Sequence, residues 1–192
     1  MREARVYIAL LHHPMHNKRK DIITTSVTNL DLHDISRVAR TYNVDGFFVV
    51  HPSPRQQELI QKIVGFWQEG YGGEYNPDRK EAFSVFRTVT SLKECMECIR
   101  EETGREVLTV ATDAGCFPNS IAYHSLRKII SNEKRAFLVL FGTGFGMPAE
   151  MVKECDYILK PIVGGGEYNH LSVRSAVSII IDRLLGESWY TE

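Results

Sequence analysis

Six short apolar runs, each followed by a stretch of helical period, leave this chain few folds to choose from. The runs cover residues 6–11, 46–50, 83–89, 106–111, 136–141 and 156–162, and β-branched and aromatic residues dominate them. The intervening stretches, residues 30–42, 54–69, 91–103, 124–130, 149–154 and 170–185, repeat their apolar positions at helical spacing. A strand that is apolar throughout must be covered on both sides, and strands alternating with helices imply crossover connections. The pattern predicts an α/β fold: a mostly parallel sheet with helices on both faces. A chain of 192 residues with 43% hydrophobic content suits one core, so residues 1–192 are read as a single domain.

Local signals sharpen some boundaries. Ser53 offers a cap, Pro54 fits a first helical turn and Gly70 follows as a stop. Residues 70–81, GYGGEYNPDRKE, have no hydrophobic period and read as a polar loop, either a lid or a mobile connection. The last helix carries Val173, Ala176, Val177, Ile179, Ile180, Ile181, Leu184 and Leu185, more apolar circumference than one core-facing stripe needs. A second copy of the chain would cover the excess, with Trp189 and Tyr190 as anchors; burial within the monomer is the alternative.

A net charge of −1 lacks the basic excess of many nucleic-acid binders, so any such contact must use a local patch. The best candidate is His16-Asn17-Lys18-Arg19-Lys20, with Arg79-Lys80 and Lys134-Arg135 behind it; solvated loop charge is the plainer reading. No apolar run reaches the roughly 18 residues that cross a bilayer, so no membrane role is expected and the protein should be cytoplasmic. Four scattered cysteines do not make a disulfide scaffold. Cys95 and Cys98 fall on a core-facing helical stripe, and no second pair completes a zinc set. His12, His13 and His16 follow the first strand without nearby thiols or carboxylates, which fits a loop facing substrate as well as a metal; no metal is expected.

Two glycine loops stand out. Gly142-Thr143-Gly144-Phe145-Gly146 follows one apolar run, and Gly164-Gly165-Gly166 follows the next. Glycine admits a close ligand, and neighbouring strand-to-helix crossings can form one crevice. Ordinary turns would look the same. A dinucleotide fingerprint belongs after the first strand with an acid about 20 residues on, which these loops do not match.

The stretch LVLFGTGFGMPAEMV, followed by YILKPIVGGGEYNHLSVRSAVSIIIDRLL, resembles the two C-terminal motifs of the SPOUT methyltransferases, and NLDLHDISRVARTYNVDGFFVV resembles their first motif. The resemblance implies a C-terminal deep trefoil knot, S-adenosylmethionine as cofactor and RNA, tRNA or rRNA, as substrate. It places Gly142, Thr143 and Gly144 in the cofactor loop, Lys160-Pro161-Ile162 around the adenine, Leu171 beside it, and Ser172 where many members have asparagine. It also makes Arg37 and Asp31 the catalytic candidates. Two departures stand out: the loop lacks the family's glutamate, and Asp31 occupies an asparagine position. In ribose-methylating members the arginine assists a 2′-hydroxyl, whereas an aspartate favours a base nitrogen, as in the tRNA guanine-N1 branch.

Methyl transfer to a hydroxyl or ring nitrogen needs an acceptor held in line and a group to take its proton. Arg37 can serve that end by binding phosphate or by stabilising charge, or it is a surface arginine. Asp31 is a base or a helix N-cap. A non-catalytic nucleotide- or RNA-binding module and a nicotinamide-dependent oxidoreductase are the competing functions.

Overall fold

The computed structural model describes residues 2–187; Trp189 and Tyr190 lie outside the described residues. Six parallel strands form the main sheet: β1 (Arg5–Leu11), β4 (Gly46–Val50), β5 (Phe86–Val89), β6 (Val107–Ala111), β7 (Ala136–Gly142) and β8 (Tyr157–Ile158), in the order β5-β4-β1-β7-β6-β8. In register, Ile8 of β1 sits between Phe47 and Val139. Alternation then separates two cores. Val6, Ile8 and Leu10 face α1 (Asn29–Thr41), α2 (Pro54–Gln68), α6 (Tyr123–Asn132) and α8 (Val173–Leu185). Tyr7, Ala9 and Leu11 face α5 (Leu92–Thr103) and α7 (Ala149–Lys153). The expected two-faced, parallel α/β fold is present.

Several expectations are corrected in detail. Residues 70–81 are not a loop: α3 (Tyr71–Tyr75) and α4 (Pro77–Ala82) occupy them, the second started by Pro77 and by Asn76, whose side chain accepts from the Arg79 amide at 3.0 Å. Helices this short show no period to read. Residues 83–85 make a 3₁₀ turn that buries Phe83 before β5 begins. The last strand pairs over two residues only, because Asp156 clamps its start, accepting from the Thr109 amide and hydroxyl at 2.7 and 2.8 Å.

A second small sheet was not anticipated. β2 (Met15–His16) and β3 (Ile22–Ile23) form an antiparallel hairpin after β1. The breadth of α8 has an internal explanation: Val177, Ile180, Ile181 and Leu184 are buried within the chain, where α8 packs on α1, α6 and β7. Val173, Ala176, Ile179 and Leu185 remain half-buried. Cys95 lies in the core, and burial pushes its thiol up. No described helix is long and apolar enough to cross a membrane.

Candidate functional site

A cavity of about 1020 Å³ opens at the carboxyl ends of β6, β7 and β8. Parallel sheets bind ligands at this end, beside the point where strand order reverses, because there the loops diverge and leave a crevice. Its walls are Gly142 to Gly146 after β7, Thr112 to Gly115 after β6, and Lys160 and Ile162 after β8. Leu171, Ser172 and the first turns of α8 close one side; Thr25, Ser26, Thr28 and Asp31 close the other. The cavity brings together Asp31, Gly142, Thr143, Gly144, Lys160, Ile162, Leu171 and Ser172 from 142 residues of sequence. Pro161 is buried and does not line it. Arg37 does not line it either: it is exposed on α1 beside a shallow groove shared with Asp34, Ser172 and Arg174.

The β7 loop is held from several directions. At Gly142 an added Cβ would sit 3.0 Å from the Met147 amide and side chain; Gly144 adopts φ 62° and backs onto Thr25 and His16. The His16 amide donates to Gly146 O at 2.9 Å, and the Phe145 amide donates to His16 O at 3.1 Å. The Thr143 amide donates to the sulfur of buried Met15 at 3.2 Å.

Beneath the loop, hydroxyls and imidazoles form a chain whose proton positions follow from counting. Thr143 Oγ1 donates its one proton to Leu11 O at 2.9 Å, so it accepts from Thr25 Oγ1. Thr25 Oγ1 in turn accepts from His12 Nδ1 at 2.9 Å. His12 Nε2 therefore carries a lone pair, buried and without a partner among the described residues. His51, whose ring centre is 5.3 Å away, accepts from the Ser53 amide at Nδ1 and donates to Thr25 O from Nε2. Burial pushes His12 down to about 4, with His51 adding to the effect, and burial also lowers His51. Both rings are neutral near pH 7.

Asp31 is not the N-cap of α1. Thr28 is the cap, and Asp31 stands three residues on, in a reciprocal box: the Asp31 amide donates to Thr28 Oγ1 at 3.2 Å and Thr28 Oγ1 donates to Asp31 Oδ2 at 2.6 Å. Arg174 of α8 supplies the third contact, with Nε 3.3 Å from Asp31 Oδ1 and Nη1 3.1 Å from Asp34 Oδ2. Arg174 escaped sequence reading because nothing local marks an arginine paired 143 residues away. Asp113 was missed as well; its Oδ1 accepts from the Gly115 amide at 2.7 Å, and it too lines the cavity. So does Tyr123, whose hydroxyl finds no described partner and is pushed up by burial.

Apolar walls (Phe141, Ile162, Leu171, Ile180) and carboxylates at the rim fit a nucleoside carrying a charged amino-acid tail. The volume is at the upper end for small-molecule sites. The profile of a family described as SAM-dependent RNA methyltransferases matches residues 5–186. The chain belongs to this family. S-adenosylmethionine is the cofactor of its members, which favours the methyltransferase expectation over the nicotinamide-dependent one.

Among individual relatives of this methyltransferase family, an uncharacterized protein of Aquifex aeolicus is 44% identical over 183 residues, covering 95% of this chain and 89% of that one. A tRNA (guanine-N(1)-)-methyltransferase of Nitratidesulfovibrio vulgaris is 40% identical over 184 residues, 96% of this chain but 43% of that protein. The chain thus spans less than half of that longer enzyme. Among solved structures, the SpoU methyltransferase AviRb of Streptomyces viridochromogenes, in complex with AdoMet, superposes with a TM-score of 0.57 at 15% identity, covering 96% of this chain and 58% of that one. A TrmH/SpoU tRNA modifying enzyme of A. aeolicus gives 0.57 at 13%, covering 96% and 75%. These likenesses show that the fold is that of the SPOUT methyltransferases.

Proposed function

We propose that the cavity holds S-adenosylmethionine against Gly142, Thr143, Gly144, Lys160, Ile162, Leu171 and Ser172, with Pro161 fixing the turn, and that the chain methylates a guanine ring nitrogen in tRNA. The observation that carries the reading is Asp31: a carboxylate lining the same cavity as the glycine loop, steered by Thr28 and Arg174. The cofactor supplies an electrophilic methyl on a sulfonium sulfur, and transfer breaks that sulfur–carbon bond as a carbon–nitrogen bond forms at guanine N1. Asp31 takes the N1 proton, its oxygens keeping lone pairs beyond those engaged by Thr28 and Arg174. Arg174 is a positioning residue. Arg37, outside the cavity on the same helix, is assigned to a phosphate of the bound RNA. Two relatives, 40% and 36% identical, are tRNA (guanine-N(1)-)-methyltransferases, which favours tRNA over rRNA and N1 over a ribose hydroxyl.

The same reading includes a single domain, a cytoplasmic location, and the trefoil knot implied by the family motifs. It also includes a homodimer, supported by the half-buried apolar side chains of α8 and by Leu30 and Leu171, 57% and 45% exposed. Ile180 is buried inside the chain, so Ile179 is the informative position. Ile179→Glu should yield folded monomer by sedimentation, and a folded dimer would move the interface elsewhere.

The deciding experiment pairs calorimetry of S-adenosylmethionine with mass spectrometry of nucleosides after incubation with tRNA from cells lacking the protein. One bound cofactor and N1-methylguanosine are expected. Asp31→Asn should lower single-turnover methylation by about 10²- to 10⁴-fold, the usual cost of losing a general base. Cofactor binding without any methylated nucleoside would favour a binding module instead.

A further inference from the structure

The basic tip of the β2–β3 hairpin and the aromatic tip of the glycine loop have no part in the reading above, yet they are one rigid unit. Three exposed cations, Lys18, Arg19 and Lys20, cap the hairpin, and none forms an ion pair among the described residues. Elsewhere on the surface, arginines commonly meet a carboxylate, as Arg87 meets Glu102 and Arg40 meets Glu81. The tip itself is organised by Asn17, whose Oδ1 accepts from the Arg19 and Asp21 amides at 2.8 and 3.0 Å. Asn17 Nδ2 also engages Asp21, the one acid of the hairpin, at 2.9 Å. The cations are therefore presented together on a fixed turn, with Asp21 held by Asn17 and in no ion pair with any of them among the described residues.

Four contacts tie that turn to the cavity. His16 exchanges backbone hydrogen bonds with Gly146 and Phe145, Met15 sulfur accepts from the Thr143 amide, and Thr25 just past the hairpin meets Thr143 through its hydroxyl. Phe145, on the far side of this junction, lines the cavity and is 66% exposed. A large aromatic ring left in water at the mouth of a site, with its backbone pinned on both sides, offers a flat apolar face at small entropic cost.

We infer that the hairpin and Phe145 form the RNA-docking element: Lys18 and Arg19 bind backbone phosphates while Phe145 stacks on an unpaired base at the cavity mouth. This rests on the methyltransferase reading. It adds how an almost neutral protein holds a polyanion, since two or three uncompensated cations beside the site replace a basic surface. A base inside a helix cannot reach a buried methyl donor, so the target must be unstacked, and an exposed ring is the partner an unstacked base lacks. The occupant is single-stranded or loop RNA; a duplex has no free base face for Phe145.

The test uses the full chain and purified tRNA from cells lacking the protein, with binding measured across a salt series. Each phosphate contact contributes about 0.7 to 0.9 to the slope of log affinity against log salt, so Lys18→Gln/Arg19→Gln should reduce that slope by about 1.5. The same variant should bind S-adenosylmethionine as wild type does, which a misfolded hairpin would not allow. Phe145→Leu should weaken RNA binding by roughly 5- to 150-fold, the range for one lost base stack, and Phe145→Trp should restore it. An unchanged salt slope in the double variant, while wild type binds and methylates tRNA, would overturn this inference and leave the methyltransferase reading standing. Wild-type protein that binds the cofactor but no RNA would sink both.

Discussion

The first glycine loop walls the crevice and the second, between the lining residues Ile162 and Glu167, stands off it; the two are built on opposite principles. The loop at Gly142 to Gly146 is crowded: Met147 presses on Gly142, Thr25 and His16 back Gly144, and a chain of hydroxyls and imidazoles runs beneath it. The Gly164-Gly165-Gly166 loop is open, with nothing within 4 Å of an added Cβ at any of the three. Its anchor lies further on, where the Asn169 side chain donates to Ala114 O at 3.0 Å. Glycine in the first loop is required by the folded chain itself. In the second, any requirement must come from a ligand or from the motion of the loop.

The comparison can be broken most severely by acid. His12 is neutral in the folded chain, with its proton affinity depressed to about 4 by burial, while an unfolded histidine titrates near 6.5. Unfolded chains therefore bind more protons between those values. Stability is full above pH 6.5 and falls by up to about 3 kcal/mol as pH drops toward 4. Hydrogen exchange, corrected for intrinsic rates, should show the hydrogen-bonded amides of Thr143, Phe145 and Gly146 losing protection over this window. His12→Asn, which keeps a donor for Thr25, should flatten the dependence of urea midpoint on pH. An equal slope in that variant would place the acid sensitivity elsewhere.

A smaller effect should come from Gly144→Ala. Its left-handed φ of 62° is strained for any L side chain by about 1–2 kcal/mol, and the new methyl would press on Thr25 Cγ2 at 3.1 Å. Thermal unfolding should register the loss, and calorimetric affinity for S-adenosylmethionine should fall with it. Gly165→Ala should change stability by less than about 0.5 kcal/mol, as open surface positions do. If its cofactor affinity nonetheless falls tenfold, the second loop closes on the ligand, and the contrast becomes one between a fixed wall and a moving one.

Much of this fold was legible because its strands are apolar on both faces. A run such as AFLVLF has no wet side to confuse, and register with β1 buries every residue of it. The crevice was half legible: both glycine loops leave the carboxyl ends of strands, but β6 lies between β7 and β8, and the depth of packing under the first loop depends on a hairpin with two residues per strand. Strands that short leave no alternation. Arg37 shows the opposite limit, since a family position fixes where a residue stands on its helix but not which side of α8 it reaches. The breadth of α8 carries a related lesson. An apolar circumference records how much of a helix is covered, and three elements of the same chain cover most of this one.

The strand order also dictates a sequence of events on the ribosome. β1, β4 and β5 are neighbours in space and leave the ribosome first, so the amino-terminal half can assemble its side of the sheet while synthesis continues. β6 emerges next, yet both of its partners, β7 and β8, are still untranslated. It must wait, apolar and unpaired, for β7 to fill the slot between it and β1. A nascent chain shorter than 160 residues therefore lacks the side of the crevice made by Lys160, Ile162, Leu171, Ser172 and the start of α8. The half-made protein is vulnerable at β6, where a holdase or a pause in translation would matter most.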